Sequence, residues 1–414
     1  MSKRLNFWYG SIFGTYWMIY GVVGSFASVF LLAVGFTNAQ IGITLAAGNV
    51  LAVILQPLTA EIADRSRRIG VIGISTVMTG MMMVFALGMF LFGGGTALGI
   101  TFILLIAWHT ALQPMFNSLT FKLEETGLPV NFGVARSVGS LAYSILVAIL
   151  GSMVEKLGII VLPISAEVTC AMLLIGLFFT WRTFAKAMDA RRNSLGEETR
   201  ETADERGEPE ESERIDAPQE PVRLMDFVRR NRLFVVLNLG VVGLFFSNAV
   251  LNNYMIQIVE GVGGTSEDMG RILGLMAFLE IPTMVFFSRL RSRFSCQSLL
   301  KVASVGFTVK IAICWLARSV AMLFVAQFFQ LVSFALFLPG MVYFTGENMT
   351  RSEAVRGQAL FTTMITVTTI ISSFAGGWIL DLWGPKMLTF IATLATAAGA
   401  SVVFAVVDRI GRED

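Results

Sequence analysis

Long apolar runs separated by short polar breaks form the dominant pattern of this sequence. Stretches of about 20 apolar residues recur along almost the whole chain, and a helix of that length crosses ~30 Å of hydrocarbon. The pattern predicts an all-α integral membrane protein with twelve transmembrane helices, so both termini lie on one side. The predicted ranges are 7–32, 39–62, 69–93, 97–121, 132–154, 158–181, 232–258, 267–288, 297–317, 320–345, 355–381 and 385–407.

The composition agrees with a chain that lies mostly in lipid. Of its 414 residues, 55% are hydrophobic and only 14% are charged, and the mean hydropathy is +0.71, whereas soluble domains carry about 25% charged residues. The net charge of +2 is too small to indicate a nucleic-acid partner. The expected surroundings are the lipid bilayer and a small-molecule substrate.

A polar stretch divides the apolar runs into two sets of six. It includes the sequence EETRETADERGEPEESERIDAPQEP, whose mixed charges and prolines cannot bury a core. We predict an amino-terminal six-helix bundle over 1–184, a flexible cytoplasmic linker over 185–231, and a carboxy-terminal six-helix bundle over 232–414.

The two sets of helices also resemble each other at a fixed spacing of 225 residues. Three matching positions show it: Pro57 with Pro282, Pro114 with Pro339, and Gly151 with Gly376. One offset shared by three corresponding helix pairs indicates a duplicated unit, and such repeats are typical of two-domain transporters. We therefore expect two pseudo-symmetric bundles.

Basic residues are unevenly distributed between the two sides of the predicted membrane. The opposite loops hold little besides Lys156, Arg318 and Lys386. The side shared by the termini holds Lys3, Arg4, Arg65, Arg67, Arg68, Lys122, Arg289, Arg291, Arg293, Arg351, Arg356, Arg409 and Arg412. The positive-inside rule then predicts a multi-pass protein of the cytoplasmic membrane with both termini in the cytoplasm.

The residues needed for most enzyme chemistry are scarce. The three cysteines, Cys170, Cys296 and Cys314, lack metal-type spacing and are predicted to pack as small apolar side chains. With His109 as the only histidine, most acyl-transfer and zinc sites cannot be assembled. We expect no enzyme, no catalytic residue, no metal and no cofactor. His109 itself is interpreted either as a proton-carrying group or as an interhelical hydrogen-bonding group.

The loop after the second helix reads AEIADRSRR and resembles the major facilitator signature G-x-x-x-D-R-x-G-R-[RK]. Asp64, Arg65 and Arg68 stand at matching positions, while Ala60 and Arg67 replace the two glycines. The resemblance implies the major facilitator fold and a conformational latch formed by these charges, which alternating access would break. A simple positive-inside anchor is the alternative.

Further segments resemble the oligosaccharide:proton symporter branch, which includes the lactose permease, over nearly the whole chain. They are NFW at 6–8, LAAGNVLAVILQPL ending at Leu58, and FGVAR at 132–136. The resemblance implies that Arg136 binds substrate and that Tyr143, seven residues later on the same helix face, stacks on it. The partner carboxylate of this arginine is replaced by Asn117, whose amide is a candidate to hydrogen-bond the hydroxyls of a substrate. The lost negative charge leaves an organic acid as an alternative substrate.

Most of the family's proton-coupling residues are replaced in the second half. On the tenth helix Gln327, Gln330 and Ser333 stand where the resemblance implies lysine, histidine and glutamate. Glu280 and Lys310 remain, and we predict that they pair and take part in proton coupling.

Three other polar features are candidates. Glu167 lies midway along the sixth helix, as a further coupling candidate or a structural hydrogen-bonding group. Asn248 and Asn252 of the seventh helix, and Gln327 and Gln330 of the tenth, form one-sided amide stripes. These stripes either face a substrate cavity or join neighbouring helices.

The leading hypothesis is a monomeric secondary transporter that moves a sugar, glycoside or similar small polar solute by alternating access, with protons as the expected coupling ion. An organic acid carrier and an uncoupled uniporter are the alternatives within transport. A membrane sensor that does not transport is the alternative from another class.

Overall fold

The computed structural model describes residues 2–65, 70–203 and 224–410 and places twelve membrane-length helices, six in each half of the chain. The first six are α1 Ser2–Ala33, α2 Asn38–Arg65, α3 Gly70–Leu91, α4 Gly95–Glu124, α5 Phe132–Leu157 and α6 Val161–Ala203. The last six are α7 Arg232–Asn253, α8 Ser266–Arg291, α9 Cys296–Leu316, α10 Val320–Asn348, α11 351–383 and α12 385–406.

The last two helices form one nearly continuous helical run. Its apolar part, Glu353–Val406, contains 54 residues, or ~80 Å of helix, far more than one membrane thickness. Gly384 has a φ of 76° and interrupts the run, and Pro385 begins α12, where a missing backbone N–H is tolerated. The run therefore crosses twice, and the predicted twelve-helix architecture is confirmed.

Three helices are irregular near the middle of the molecule. α1 contains a π-helical turn at Gly21–Ser25, and α10 contains a 3-10 turn at Phe328–Val332. α7 ends at Asn253, and a short helix, Met255–Glu260, follows Tyr254. Such breaks within a membrane span are tolerated where the backbone is buried in protein or lines a cavity.

The segment that joins the two halves is partly helical. α6 continues to Ala203, well beyond its predicted end, and another short helix covers Leu224–Arg230. Helix therefore covers the first residues of the predicted linker, 185–231, which include the helix formers Ala, Lys and Arg, and also a short stretch near its end. Residues 204–223 lie outside the described part, so the linker itself stays a prediction.

The two bundles meet along two pairs of helices, α5 with α8 and α2 with α11. Both pairs touch closely through glycines. A Cβ on Gly151 of α5 would lie 2.5 Å from the Ser266 carbonyl oxygen of α8, and one on Gly377 of α11 would collide with the Asn38 carbonyl of α2. Gly151 belongs to a predicted repeat pair, but its counterpart Gly376 packs against Tyr254 of its own half, and the adjacent Gly377 makes the contact with the other half.

Candidate functional site

The hydrogen bonds between the two halves lie toward one end of the helices in the described part of the chain. We call the side where α1 begins and α12 ends the terminal side, and the other the far side. These hydrogen bonds occur toward the far side: Ser28 with Asn253; Thr37, Asn38 and Ala39 with Asp381; Asn38 with Gln257; and Ser144 with Gly274. Nearer the terminal side, Val134 of α5 is 57% exposed and Val285 of α8 is 59% exposed.

A cavity of about 300 Å³ lies between the halves, on the terminal side of these contacts. Both bundles contribute to it, as expected for a binding site at the interface of two repeats. The amino-terminal half supplies Tyr16, Trp17, Tyr20, Asn49, His109, Thr110, Gln113, Arg136, Ser140 and Tyr143. The carboxy-terminal half supplies Phe245, Asn248, Ala249, Asn252, Asn253, Met276, Ala277, Glu280, Phe334, Ile365, Thr366 and Thr369.

Aromatic rings form the wall contributed by the amino-terminal half. The rings of Tyr16 and His109 stack with centroids 4.2 Å apart, and Tyr20 stacks on Tyr143 at 6.0 Å. The Tyr143 hydroxyl is hydrogen-bonded to Ser25 at 2.7 Å, within the π-helical turn of α1. The turn therefore positions the ring that the sequence predicted as a stacking platform.

His109 has a hydrogen bond to the backbone. Its Nε2 lies 3.1 Å from the carbonyl oxygen of Tyr16, and a carbonyl only accepts, so Nε2 is the donor. This contact joins α4 to α1 and matches the interhelical role that was one of the two interpretations of His109.

Arg136 lies across the cavity from Glu280 and has an aromatic partner. Its guanidinium carbon is 4.7 Å from the centre of the Trp17 ring, a cation–π distance. The described residues include no ion pair or hydrogen bond to Arg136, so its N–H groups are free to bind a solute.

Amides and hydroxyls form much of the wall contributed by the carboxy-terminal half. Asn252 donates to the backbone oxygen of Asn248 at 2.8 Å, while the Asn248 side-chain oxygen is buried without a partner in the described structure. Asn253 donates to Ser373 Oγ at 2.9 Å. The α7 stripe of Asn248 and Asn252 thus faces the cavity, as one of its two interpretations required.

Glu280 and Lys310 are connected through Gln330 instead of pairing directly. Lys310 is 2% exposed, and its Nζ donates to Gln330 Oε1 at 2.6 Å. Gln330 Nε2 then donates to Glu280 Oε1 at 2.8 Å. Only Glu280 of these three reaches the cavity wall, so the expected direct pair is corrected to a bridged one.

The other amide stripe does not line the cavity. Gln327 and Gln330 are both fully buried, and Gln327 donates to the Leu323 carbonyl of its own helix. The 3-10 turn that follows Gln327 changes the direction of α10 side chains, so Phe334 lines the cavity instead. Substrate binding by these two glutamines finds no support in their placement.

Two further candidates lie apart from the cavity. Asn117 is exposed on α4, while Gln113, one turn earlier, lines the cavity. Glu167 of α6 has a buried carboxylate oxygen without a hydrogen bond to any described residue. α6 packs on α1 and α3, which keeps Glu167 away from the central interface.

The predicted latch can be followed only in part. Arg65 pairs with Glu61 on the exposed last turn of α2, at 2.6 Å. Arg68 lies outside the described residues, and Asp64 belongs to the described helix α2 but its side chain is not described. The latch therefore stays a prediction.

Trp17, Tyr16 and Tyr20 were not predicted as site residues. The available signal was the sequence YWMIY at 16–20 in the middle of α1, where three polar-tipped aromatic residues fall within five positions. Residues three and four apart share a helix face, so Tyr16 and Tyr20 point the same way.

Comparison with known proteins places the chain in a family. The model of the MFS_1-like family matches residues 9–409. A protein of Deinococcus radiodurans assigned as a sugar efflux transporter is 26% identical over 158 residues, which are 37% of this chain and 39% of that relative. The matched region is thus well under half of that protein's length.

Solved structures show the same fold. A mutant of the nucleoside transporter NupG matches with a TM-score of 0.74 at 12% identity, covering 97% of this chain and 99% of that one. The peptide transporter PepTSo matches with a TM-score of 0.71 at 11% identity, covering 100% and 99% of the two chains. A bacterial homologue of the human lysosomal transporter Spinster matches with a TM-score of 0.66 at 13% identity, covering 99% and 98%. With the family model covering nearly its whole length, the chain belongs to the MFS_1-like family.

Proposed function

We propose that this protein is a secondary transporter that carries a sugar, glycoside or similar small polar solute across the cytoplasmic membrane by alternating access. The observation that carries the proposal is the composition of the central cavity, with aromatic rings on one bundle and amides and hydroxyls on the other. Sugars present apolar faces to rings and hydroxyls to hydrogen-bonding groups. The relative assigned to sugar efflux supports the same class.

The charges of the cavity favour a solute without a large net charge. Arg136 and Glu280 line it from opposite halves, so their formal charges balance. A neutral solute with many hydroxyls can bind both without leaving either ion unpaired in an apolar setting.

Proton coupling through Glu280 is part of the proposal. It is the only carboxylic acid among the described residues that line the cavity, and a carboxylate in a poorly hydrated site can bind and release a proton during a transport cycle. Gln330 and Lys310 lie behind it and do not meet the solute directly.

The membrane orientation follows from the distribution of basic residues. With both termini in the cytoplasm, the terminal side is cytoplasmic, and this structure is closed toward the outside. We propose that residues 1–184 and 232–414 move against each other as two bundles joined by the 185–231 linker, within a monomer.

Uptake into proteoliposomes tests the proposal with a panel of D-glucose, lactose, melibiose, L-lactate and succinate. We expect uptake of a neutral sugar, driven by an inward proton gradient and reduced at least tenfold in Arg136→Ala. Arg271→Ala is the matched control, because Arg271 is exposed and pairs with Glu267 on α8. Glu280→Gln should retain exchange of labelled for unlabelled sugar but lose accumulation against a gradient.

Other outcomes would overturn specific parts of the proposal. Sugar flux that ignores both pH and membrane potential would indicate a uniporter. If Arg136→Ala left the uptake of every solute unchanged, the chain would not transport through this cavity. That result would favour the alternative of a membrane sensor that does not transport.

An organic acid carrier is the second candidate, and one observation favours it. Arg136 has no carboxylate within ion-pair distance in the described structure, and Lys310 adds a second positive charge behind Glu280. Uptake of L-lactate or succinate, with none of the sugars, would establish this alternative.

A further inference from the structure

Arg136 contacts the Trp17 ring but has no counter-ion among the described residues. A guanidinium group at a half-buried position inside a membrane protein normally pairs with a carboxylate or with carbonyl groups. Arg136 forms no such pair among the described residues. The residues of α4 that line the cavity, His109, Thr110 and Gln113, provide no acid either. Glu280 acts on Arg136 only electrostatically, from the other half.

The Trp17 ring is placed directly against α5. A Cβ on Gly139 would lie 2.5 Å from Trp17 Cδ1 and 3.2 Å from Trp17 Nε1. Gly139 follows Arg136 by three residues and so shares its helix face. The absence of a side chain at Gly139 makes room for the indole, and the ring then lies under the guanidinium.

Neighbouring rings hold the indole in this orientation. Tyr16 and Tyr20 both meet Trp17 edge to face, with centroids 5.5 Å and 5.6 Å away. The indole N–H has no acceptor in the described structure, although a buried tryptophan usually finds one. In this orientation Trp17 contacts Arg136 through the face of its ring and not through its N–H group.

We propose that Trp17 is a positioning residue for substrate binding: its ring face supports the Arg136 guanidinium in place of a counter-ion and leaves the N–H groups of the guanidinium free. A carboxylate partner would occupy two of these donors in a bidentate pair. The ring accepts no hydrogen bond from Arg136 in the described structure, and a guanidinium that stacks on an aromatic face keeps its donors at its edges. The free donors fit two neighbouring oxygen atoms of a solute, either adjacent hydroxyls or one carboxylate. The inference rests on the proposed transport function and extends it to the residue that orients the arginine.

A substitution series at Trp17 tests the inference in proteoliposomes, using the panel solute that the unmodified protein takes up fastest. The cation–π attraction is strongest for tryptophan and weaker for tyrosine and phenylalanine. We expect the KM for uptake to rise in the order Trp17→Tyr, Trp17→Phe, Trp17→Leu, reaching about tenfold for leucine, while the maximal rate changes less than twofold. A purely structural role would not produce this order.

Two further variants separate positioning from general destabilisation. Gly139→Ala, which would displace the indole from α5, should also raise the KM although it leaves Trp17 and Arg136 in place. Trp17→Leu combined with Arg136→Ala should be no worse than Arg136→Ala alone, because both changes remove one interaction. Trp8→Leu is the control: Trp8 lies on α1 and stacks on Phe179 at 4.5 Å, away from the cavity.

The possible results are distinct. If Arg136→Ala abolishes uptake while Trp17→Leu and Gly139→Ala keep the original KM, this inference is overturned and the proposed function stands. The inference would also be overturned if the effects of Trp17→Leu and Arg136→Ala on uptake were additive in the double variant. If Trp17→Leu fails to fold, the tyrosine and phenylalanine variants and Gly139→Ala decide the question. If Arg136→Ala changes uptake of no solute, the proposed function fails first.

Discussion

Two buried glutamines of α10 show how strongly the role of a residue depends on its partners. Gln327 and Gln330 are three residues apart and equally buried. Gln330 uses both ends of its amide, since its oxygen accepts from Lys310 and its nitrogen donates to Glu280. Gln327 donates to its own helix, and its oxygen has no partner in the described structure. Two glutamines with equal burial should therefore contribute differently to the stability of the protein.

Replacing each glutamine by leucine should reveal this difference. Gln330→Leu leaves Lys310 and Glu280 without their neutral bridge, and an unsatisfied buried polar group costs about 1–3 kcal/mol, more when it is charged. We expect a clear drop in Tm for Gln330→Leu and little change, or a small rise, for Gln327→Leu. Thermal unfolding of the purified variants in detergent measures both, and equal Tm values would contradict the bridging role.

At the scale of helices, one carboxylate of the carboxy-terminal half caps a helix of the other half. Asp381, near the end of α11, accepts hydrogen bonds from the backbone N–H groups of Asn38 and Ala39 at 3.0 and 2.8 Å. These are unpaired donors in the first turn of α2, where a negative charge also meets the positive end of the helix dipole. The cap exists only while the far side is closed, because its two parts belong to different halves.

Asp381→Ala should therefore favour opening on the far side. Loss of an N-cap costs about 0.5–2 kcal/mol, and one to two kcal/mol changes an equilibrium by a factor of about 5–30. We expect a cysteine at Asn252→Cys, in the cavity wall, to react several-fold faster with a membrane-impermeant thiol reagent added on the far side.

Thr265→Ala is the matched control for this prediction. Thr265 caps α8 together with Asp268, entirely within one half. Its loss should lower stability without changing the reaction rate of the cysteine. Equal acceleration by both variants would show that Asp381 has no special role in closure.

At the scale of the whole molecule, glycines determine how closely the two halves approach on the far side. Gly377 of α11 contacts the Asn38 carbonyl of α2, and even one methyl group there cannot be accommodated without separation of the helices. A Cβ on Gly399 of α12 would also collide, at 2.4 Å, with the Gly240 carbonyl oxygen of α7, but both residues lie within one bundle.

Gly377→Ala should shift the protein toward the state that is open on the far side and closed on the terminal side. Spin labels at Ile62 of α2 and Val355 of α11, both exposed near the terminal side, would then move closer together. Double electron–electron resonance measures this distance, in a background with the three native cysteines replaced. Gly399→Ala should leave the distance distribution unchanged, and a common response of both variants would refute the proposed role of the interface glycine.

Much of the architecture was predictable because it depends on local sequence. Helix count follows from the length of apolar runs, and the spacing of 225 residues between Gly151 and Gly376 already indicated a duplicated six-helix unit. Arg136, Tyr143, Asn248, Asn252 and Glu280 were also predicted as site residues and line the cavity. The end of α6 was predicted too early, since hydropathy marks where a helix leaves the lipid but not where it stops.

The sequence by itself determined the membrane-spanning helices, their duplication and a set of polar candidates, because hydrophobic length and repeat spacing are properties of the chain. Only the tertiary structure decided which candidates face the cavity. The 3-10 turn at Phe328–Val332 directs Gln330 between Lys310 and Glu280, and Gly139 allows Trp17 to lie beneath Arg136. These arrangements depend on the rotation and approach of helices far apart in the chain, which no local pattern records.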